Sequence, residues 1–134
     1  MPYSYISGPT VIGINRMFTV NGNVLNQGNL DNAILEPQRE VYGQEIHQTL
    51  AAKAAAFVRS LSQGHPFHDA NKRTASTALD YFIKENRGGR GIVGGVEKSR
   101  YLVGRCADQD PIGMDELTVA IGKLIPAPRL GEMP

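Results

Sequence analysis

Cysteine is nearly absent: Cys106 stands alone in 134 residues, which excludes an intrachain disulfide and a cysteine-based zinc site. A single cysteine reads as a small buried apolar side chain. Charge of one sign is not in excess either, with 14 basic against 13 acidic residues and a formal net charge of +1. A dedicated nucleic-acid binder would carry a basic surplus, so no nucleic-acid partner is expected, although a local basic pocket for a phosphate remains open. No apolar run is long enough to cross a bilayer, and residues 1–13 lack the basic start and apolar stretch of a signal peptide. A cytoplasmic, reducing setting without a membrane partner is the expectation. Repeats are missing, and no strand longer than a hairpin arm can be read. His47, His65 and His68 lack a supporting pattern such as H-E-x-x-H, which argues against a hydrolase built on a metal alone.

What remains is ordinary globular composition, 41% hydrophobic and 20% charged, in a length that fits one domain with one core. The expectation is a single all-α domain over residues 1–134, a compact bundle of about six helices with irregular tails at 1–9 and 126–134. Val11, Ile14, Met17 and Phe18 recur at helical spacing over 10–19, with Thr10 offering an N-cap. The Asn- and Gly-rich stretch 20–29 reads as a turn region with room for a hairpin at Asn21-Gly22. Asn29 or Asp31 then opens a short helix through Leu35, stopped by Pro37, and 38–45 reads as a loop. The strongest helix covers about 45–62, with Ile46, Leu50, Ala54, Phe57, Val58 and Leu61 in one stripe. Gly64 and Pro66 end it. A further helix over about 70–86 buries Ala75, Ala78, Leu79, Phe82 and Ile83. The Gly-rich loop 87–95 holds Arg87 and Arg90, which either meet a phosphate or belong to a mobile connection. Two last helices, 98–107 and 114–125, are split at 108–111.

The chemistry gathers in His65-Pro66-Phe67-His68-Asp69-Ala70-Asn71-Lys72-Arg73, at the break between the two central helices. Pro66 keeps His65 out of helical dihedrals, so its imidazole is presented from a loop as a base. Asp69 occupies the expected N-cap position of the following helix. A helix start offers unpaired amides and the positive end of the dipole. Lys72 and Arg73 in that first turn are unfavourable for the helix itself, and a bound polyphosphate explains them better. Asp69 then supplies an oxygen for Mg²⁺ bridging phosphates. Phe67 packs under the loop, and His68 reads as surface. Taken singly, each of these residues is more simply a cap, a core residue or a solvated charge; the functional reading rests on their grouping in one turn.

This run resembles the Fic-superfamily signature HxFx(D/E)(A/G)N(G/K)R, in the lysine form typical of death-on-curing toxins. Gly28-Asn29-Leu30-Asp31, Ala33, Leu35 and Pro37-Gln38 also look like the stretch those proteins carry ahead of their long helix, so the resemblance covers most of 10–125. It implies His65 as the base for a target hydroxyl, Asp69 as the Mg²⁺ ligand, and Asn71, Lys72 and Arg73, with loop amides around Phe67 and Ala70, as the ATP-phosphate set. Lys72 and Arg73 thereby join His65 and Asp69 as catalytic candidates. Most of the superfamily, with Gly at the Lys72 position, transfers adenosine monophosphate to a protein hydroxyl. In the death-on-curing branch the nucleotide is reversed, and a phosphoryl group is transferred to a threonine of elongation factor Tu, stopping translation.

The resemblance further implies a toxin restrained by a separate antitoxin, whose C-terminal segment folds into a helix on the toxin. An internal brake of the form (S/T)xxxE(G/N) is missing, because Tyr81 stands four residues before Glu85-Asn86. The rival readings are an adenylyltransferase on the same fold and a catalytically idle binding module, the latter disfavoured by the intact His-Asp-Asn-Lys-Arg set.

Overall fold

The structure is a computed structural model that describes residues 2–134. Among these residues the chain forms six α-helices and one two-residue-per-arm hairpin, so the all-α expectation holds. None of the helices is long and apolar enough to cross a membrane.

Helix α3 (Leu50–Gly64) is central and packs against α2 (Gln27–Leu35), α4 (Asn71–Asn86), α5 (Gly95–Ala107) and α6 (Met114–Gly122). Its alanine run favours helix and lets neighbours approach closely. Leu50, Ala54, Phe57, Val58 and Leu61 are buried along it, and Phe57 stacks on Phe82 of α4 at 5.7 Å between centroids. From α4 the predicted Ala75, Ala78, Leu79, Phe82 and Ile83 are all buried, and Cys106 of α5 is buried as expected.

Ile46 departs from the predicted stripe. The Thr49 side chain caps α3 by accepting from Ala52 N, so the helix starts at Leu50 and leaves Ile46 outside it, 48% exposed. The stretch expected as a loop before it is instead the hairpin, β1 (Glu40–Val41) paired antiparallel with β2 (Gln44–Glu45). Tyr42 and Gly43 both adopt positive φ (51° and 77°), the geometry of a tight two-residue hairpin turn. Lys53, fully buried on α3, holds the hairpin's base: its Nζ donates to Glu45 Oε1 and to Pro37 O, each at 3.2 Å.

No hairpin forms at Asn21-Gly22: Gly22 N donates to the Thr19 hydroxyl at 3.1 Å, and the residues that follow pair with the motif loop and not with the preceding segment. Leu25 N and Asn26 N donate to Pro66 O at 2.7 and 3.0 Å, Val24 bridges Phe67, and His68 N donates to Asn23 O at 3.1 Å. The segment between α1 (Gly8–Arg16) and α2 is thus a strap laid along the motif loop. Asn26 caps α2, starting it at Gln27, two residues before the earlier of the predicted starts.

The two expected tails are tied down, the first of them ending at Ser7, which in place of Thr10 caps α1 and starts it at Gly8. Ser4 N donates to Asn86 Oδ1, and Tyr3 Oη to Pro134 O. Arg87 and Arg90, considered for phosphate binding, do a different job. Arg87 is buried and donates to Pro126 O and Met133 O, while Arg90 pairs with Glu132. Both guanidiniums are spent on holding residues 126–134, which carry carbonyls with no sheet or helix to satisfy them.

Candidate active site

The motif loop runs from the C-terminus of α3 to the N-terminus of α4, and both ends are in the left-handed region. His65, the C-cap of α3, has φ 41° and ψ 57°; Ala70, the N-cap of α4, has φ 59° and ψ 30°. Pro66 therefore does keep His65 out of the right-handed helix, but into a left-handed turn and not an extended one. That left-handed turn ends α3 where a C-terminal glycine usually would and turns an exposed imidazole to the surface. The carbonyl just before it, Gly64 O, accepts from Asn29 Nδ2 of α2 at 2.7 Å. A β-carbon at Gly64 would stand 3.2 Å from that of Asn29, so any larger residue would press Asn29 back by a few tenths of an ångström.

Asp69 is not the N-cap; the cap is Ala70, one residue later. Asp69 Oδ1 instead accepts from Ala70 N at 2.7 Å, and the first helical bond runs from Thr74 N to Ala70 O. The amides of Asn71, Lys72 and Arg73 precede that bond and belong to the unpaired first turn of a helix.

Phe67 and Asn71, both placed in the nucleotide set, build the loop. The Phe67 ring is buried beneath it. The Asn71 carboxamide closes the loop on itself, accepting from Phe67 N and donating to Phe67 O, both at 2.9 Å. Its Oδ1 and one N–H are thereby engaged, while its second side-chain N–H and its backbone amide belong to no bond within the loop.

The exposed members surround one open cavity of about 410 Å³. Its walls bring together His65, Asp69, Ala70, Asn71, Lys72 and Arg73, joined by His68 and Phe18. His68, read as surface, is exposed and yet lines the cavity. Phe18, placed in the α1 core stripe, lies past the helix end, where its ring passes beneath the Arg73 guanidinium at 5.9 Å. Nothing in the sequence pointed to it, since Phe18 reads there as one more apolar residue of the first helical stripe.

Lys72 and Arg73 are both exposed, and among the described residues neither forms an ion pair with a carboxylate. Two unneutralised cations at the positive end of a helix dipole make an electrostatic trap for a polyanion. No group of three His, Cys, Asp or Glu that could hold a metal ion occurs among the described residues. A lone exposed carboxylate beside an anion trap nevertheless fits Mg²⁺, which commonly takes one or two carboxylates together with substrate phosphates and water.

A family model described as the Fic/DOC family matches residues 6–83. That span contains α1 to α3, the whole motif loop and most of α4, and the chain belongs to this family. It is also similar to Toxin Doc of Mycolicibacterium smegmatis (strain ATCC 700084 / mc(2)155), 43% identical over 63 residues. The match covers 47% of this chain and 48% of that protein, so the chain spans about half the length of the curated relative it matches. No solved structure matches the chain.

Proposed function

We propose that this protein is a toxin of the death-on-curing type, a phosphotransferase that uses ATP with Mg²⁺ to phosphorylate a threonine or serine hydroxyl of a cytoplasmic translation factor such as elongation factor Tu. The observation that carries the reading is the pair of unneutralised cations, Lys72 and Arg73, in the first turn of α4. They share one open cavity with an imidazole and a carboxylate. The similarity to Toxin Doc supports the toxin class.

In this reading the triphosphate lies over the first turn of α4, held by its amides, Lys72 and Arg73. Asp69 would hold Mg²⁺, which when bound would neutralise phosphate charge. His65 takes the proton of the target hydroxyl; its oxygen bonds to the γ-phosphorus as the bond to the β–γ bridging oxygen breaks, and ADP leaves. Holding the reactants in line supplies much of the rate, since an error of about 1 Å can cost on the order of 10²-fold. A separate antitoxin, contributing a helix, would restrain the toxin.

The test incubates the protein, Mg²⁺ and elongation factor Tu with ATP labelled at the α or the γ position. Transfer of the γ label by wild type, largely lost in Lys72→Ala, is the expected result. Transfer of the α label would make the protein an adenylyltransferase, and transfer of neither would leave this pairing of donor and target without support.

A further inference from the structure

Asn15 lies on α1, 54 residues from Asp69 in sequence, and only 1% of it is exposed. Its carboxamide is used completely. One N–H donates to Asp69 O at 2.9 Å, the other to Thr74 Oγ1 at 3.0 Å, and Oδ1 accepts from the Thr19 hydroxyl at 3.0 Å. Thr74 Oγ1 in turn donates to Ala70 O at 2.7 Å. Asn15 thus grips the peptide carbonyl before Ala70 directly, and the one after it through Thr74.

Ala70 is the strained residue between those two carbonyls, a β-carbon-bearing residue at φ 59°. Such a conformation persists only where its surroundings over-determine it. Its own amide donates to Asp69 Oδ1 at 2.7 Å, so the orientation of the 69–70 peptide and the direction of the Asp69 carboxylate are one geometric unit. Whatever fixes that peptide aims the carboxylate and the first-turn amides into the cavity.

From this we infer that Asn15 is a positioning residue for the phosphate and cation site: it holds the Asp69–Ala70 peptide in the left-handed turn that presents the Asp69 carboxylate. The inference rests on the reading of Asp69 as the cation-side ligand. The ligand addressed is a nucleoside polyphosphate with its divalent cation. Partners that orient a metal ligand from behind typically contribute 10- to 100-fold in affinity.

The test is a double-mutant cycle read by titration calorimetry with Mg²⁺ and ADP, which bind without turnover. Asn15→Leu removes both donors at nearly constant volume. Thr74→Val, which cuts the branch through Ala70 O while keeping the β-branched shape, serves where Asn15→Leu does not fold. Either variant is expected to weaken binding about tenfold in the wild-type background and less than twofold on top of Asp69→Asn. Leu117→Ala, in the buried core of α6, is the comparison: it lowers the thermal midpoint and leaves affinity unchanged. An equal fold-loss with and without Asp69, or unchanged affinity in both variants, overturns the inference while the site reading stands. Unchanged affinity in Asp69→Asn alone overturns the site reading, and the inference with it.

Discussion

Replacing His65 by glycine and by alanine separates two properties that meet in one residue. His65 sits at φ 41°, ψ 57°, where a residue with a β-carbon carries roughly 1–2 kcal/mol of strain relative to glycine. Histidine is among the side chains found there more often, so the lower end applies, about 1 kcal/mol. Glycine would lose that strain and return about 0.4–1 kcal/mol through the larger entropy of its unfolded chain. The net gain for His65→Gly is roughly 0.3 kcal/mol. At about 2.1 cal/mol/K of unfolding entropy per residue, over 134 residues, that corresponds to a rise of about 1 °C. His65→Ala keeps the strain and is expected to melt at or slightly below wild type. Both should lose transfer by roughly 10²–10⁴-fold, the usual cost of removing a general base. Calorimetric melting and labelled-ATP transfer on the three proteins read both properties. Retained transfer in either variant refutes His65 as the base, and a glycine variant that melts below the alanine variant refutes the strain argument.

Ala70→Gly should stabilise by about 0.5–1 kcal/mol through the same physics, whereas Ala52→Gly in the ordinary helix α3 should destabilise by about 1 kcal/mol; matching signs in thermal melts would contradict this. Arg87→Ala strips a buried guanidinium from the carbonyls of Pro126 and Met133. With charged hydrogen bonds contributing about 1.5–3 kcal/mol each and adding imperfectly, a loss of about 2–4 kcal/mol is expected in denaturant titration, and a change under 0.5 kcal/mol would rule the anchor out. Burial pushes the Cys106 thiol up to about 11, so a thiol reagent at neutral pH should label it only on unfolding. The neutral thiol's contribution to stability should be complete below its ordinary value and fall as pH rises toward 11. Rapid labelling of the native protein would show that the site opens.

The helices were legible because burial writes a period into them: the α3 and α4 stripes are covered by each other and their neighbours, except at Ile46. Helix ends were less legible, because caps are settled by local geometry. Thr49 outcompeted the apolar pattern at the start of α3, and the left-handed turn at Ala70 moved the cap of α4 past Asp69. The short hairpin went unread since Val41-Tyr42-Gly43-Gln44 lacks the Asn-Gly or Asp-Gly pair that announces such a turn. At the site, the contiguous motif was visible as a run of residue types. Asn15, Asn29 and Phe18 come to it from distant chain positions, and a one-dimensional pattern holds no trace of a carboxamide that will meet a carbonyl fifty-four residues away.

The distribution of strain and support explains why the loop is built as it is. A cation pair at a helix N-terminus and two β-carbon-bearing residues in the left-handed region are each unfavourable for folding. All four lie within nine residues, and the bonds that compensate them come from outside the exposed side chains. Asn29 holds Gly64 O, the strap after α1 bonds Pro66 O, Asn71 closes on Phe67, and Asn15 with Thr74 brackets Ala70. His65, Lys72 and Arg73 take no part in that scaffold, and Asp69 contributes one carboxylate oxygen to it. Their side chains are therefore free for a ligand, and a polyanion bound there would relieve the repulsion the fold carries without it. Ligand binding should raise the thermal midpoint with ligand concentration, and lowering the charge at Lys72 should stabilise the ligand-free protein while weakening the complex. Opposing signs of those two effects would mark a site that folding alone would not have selected.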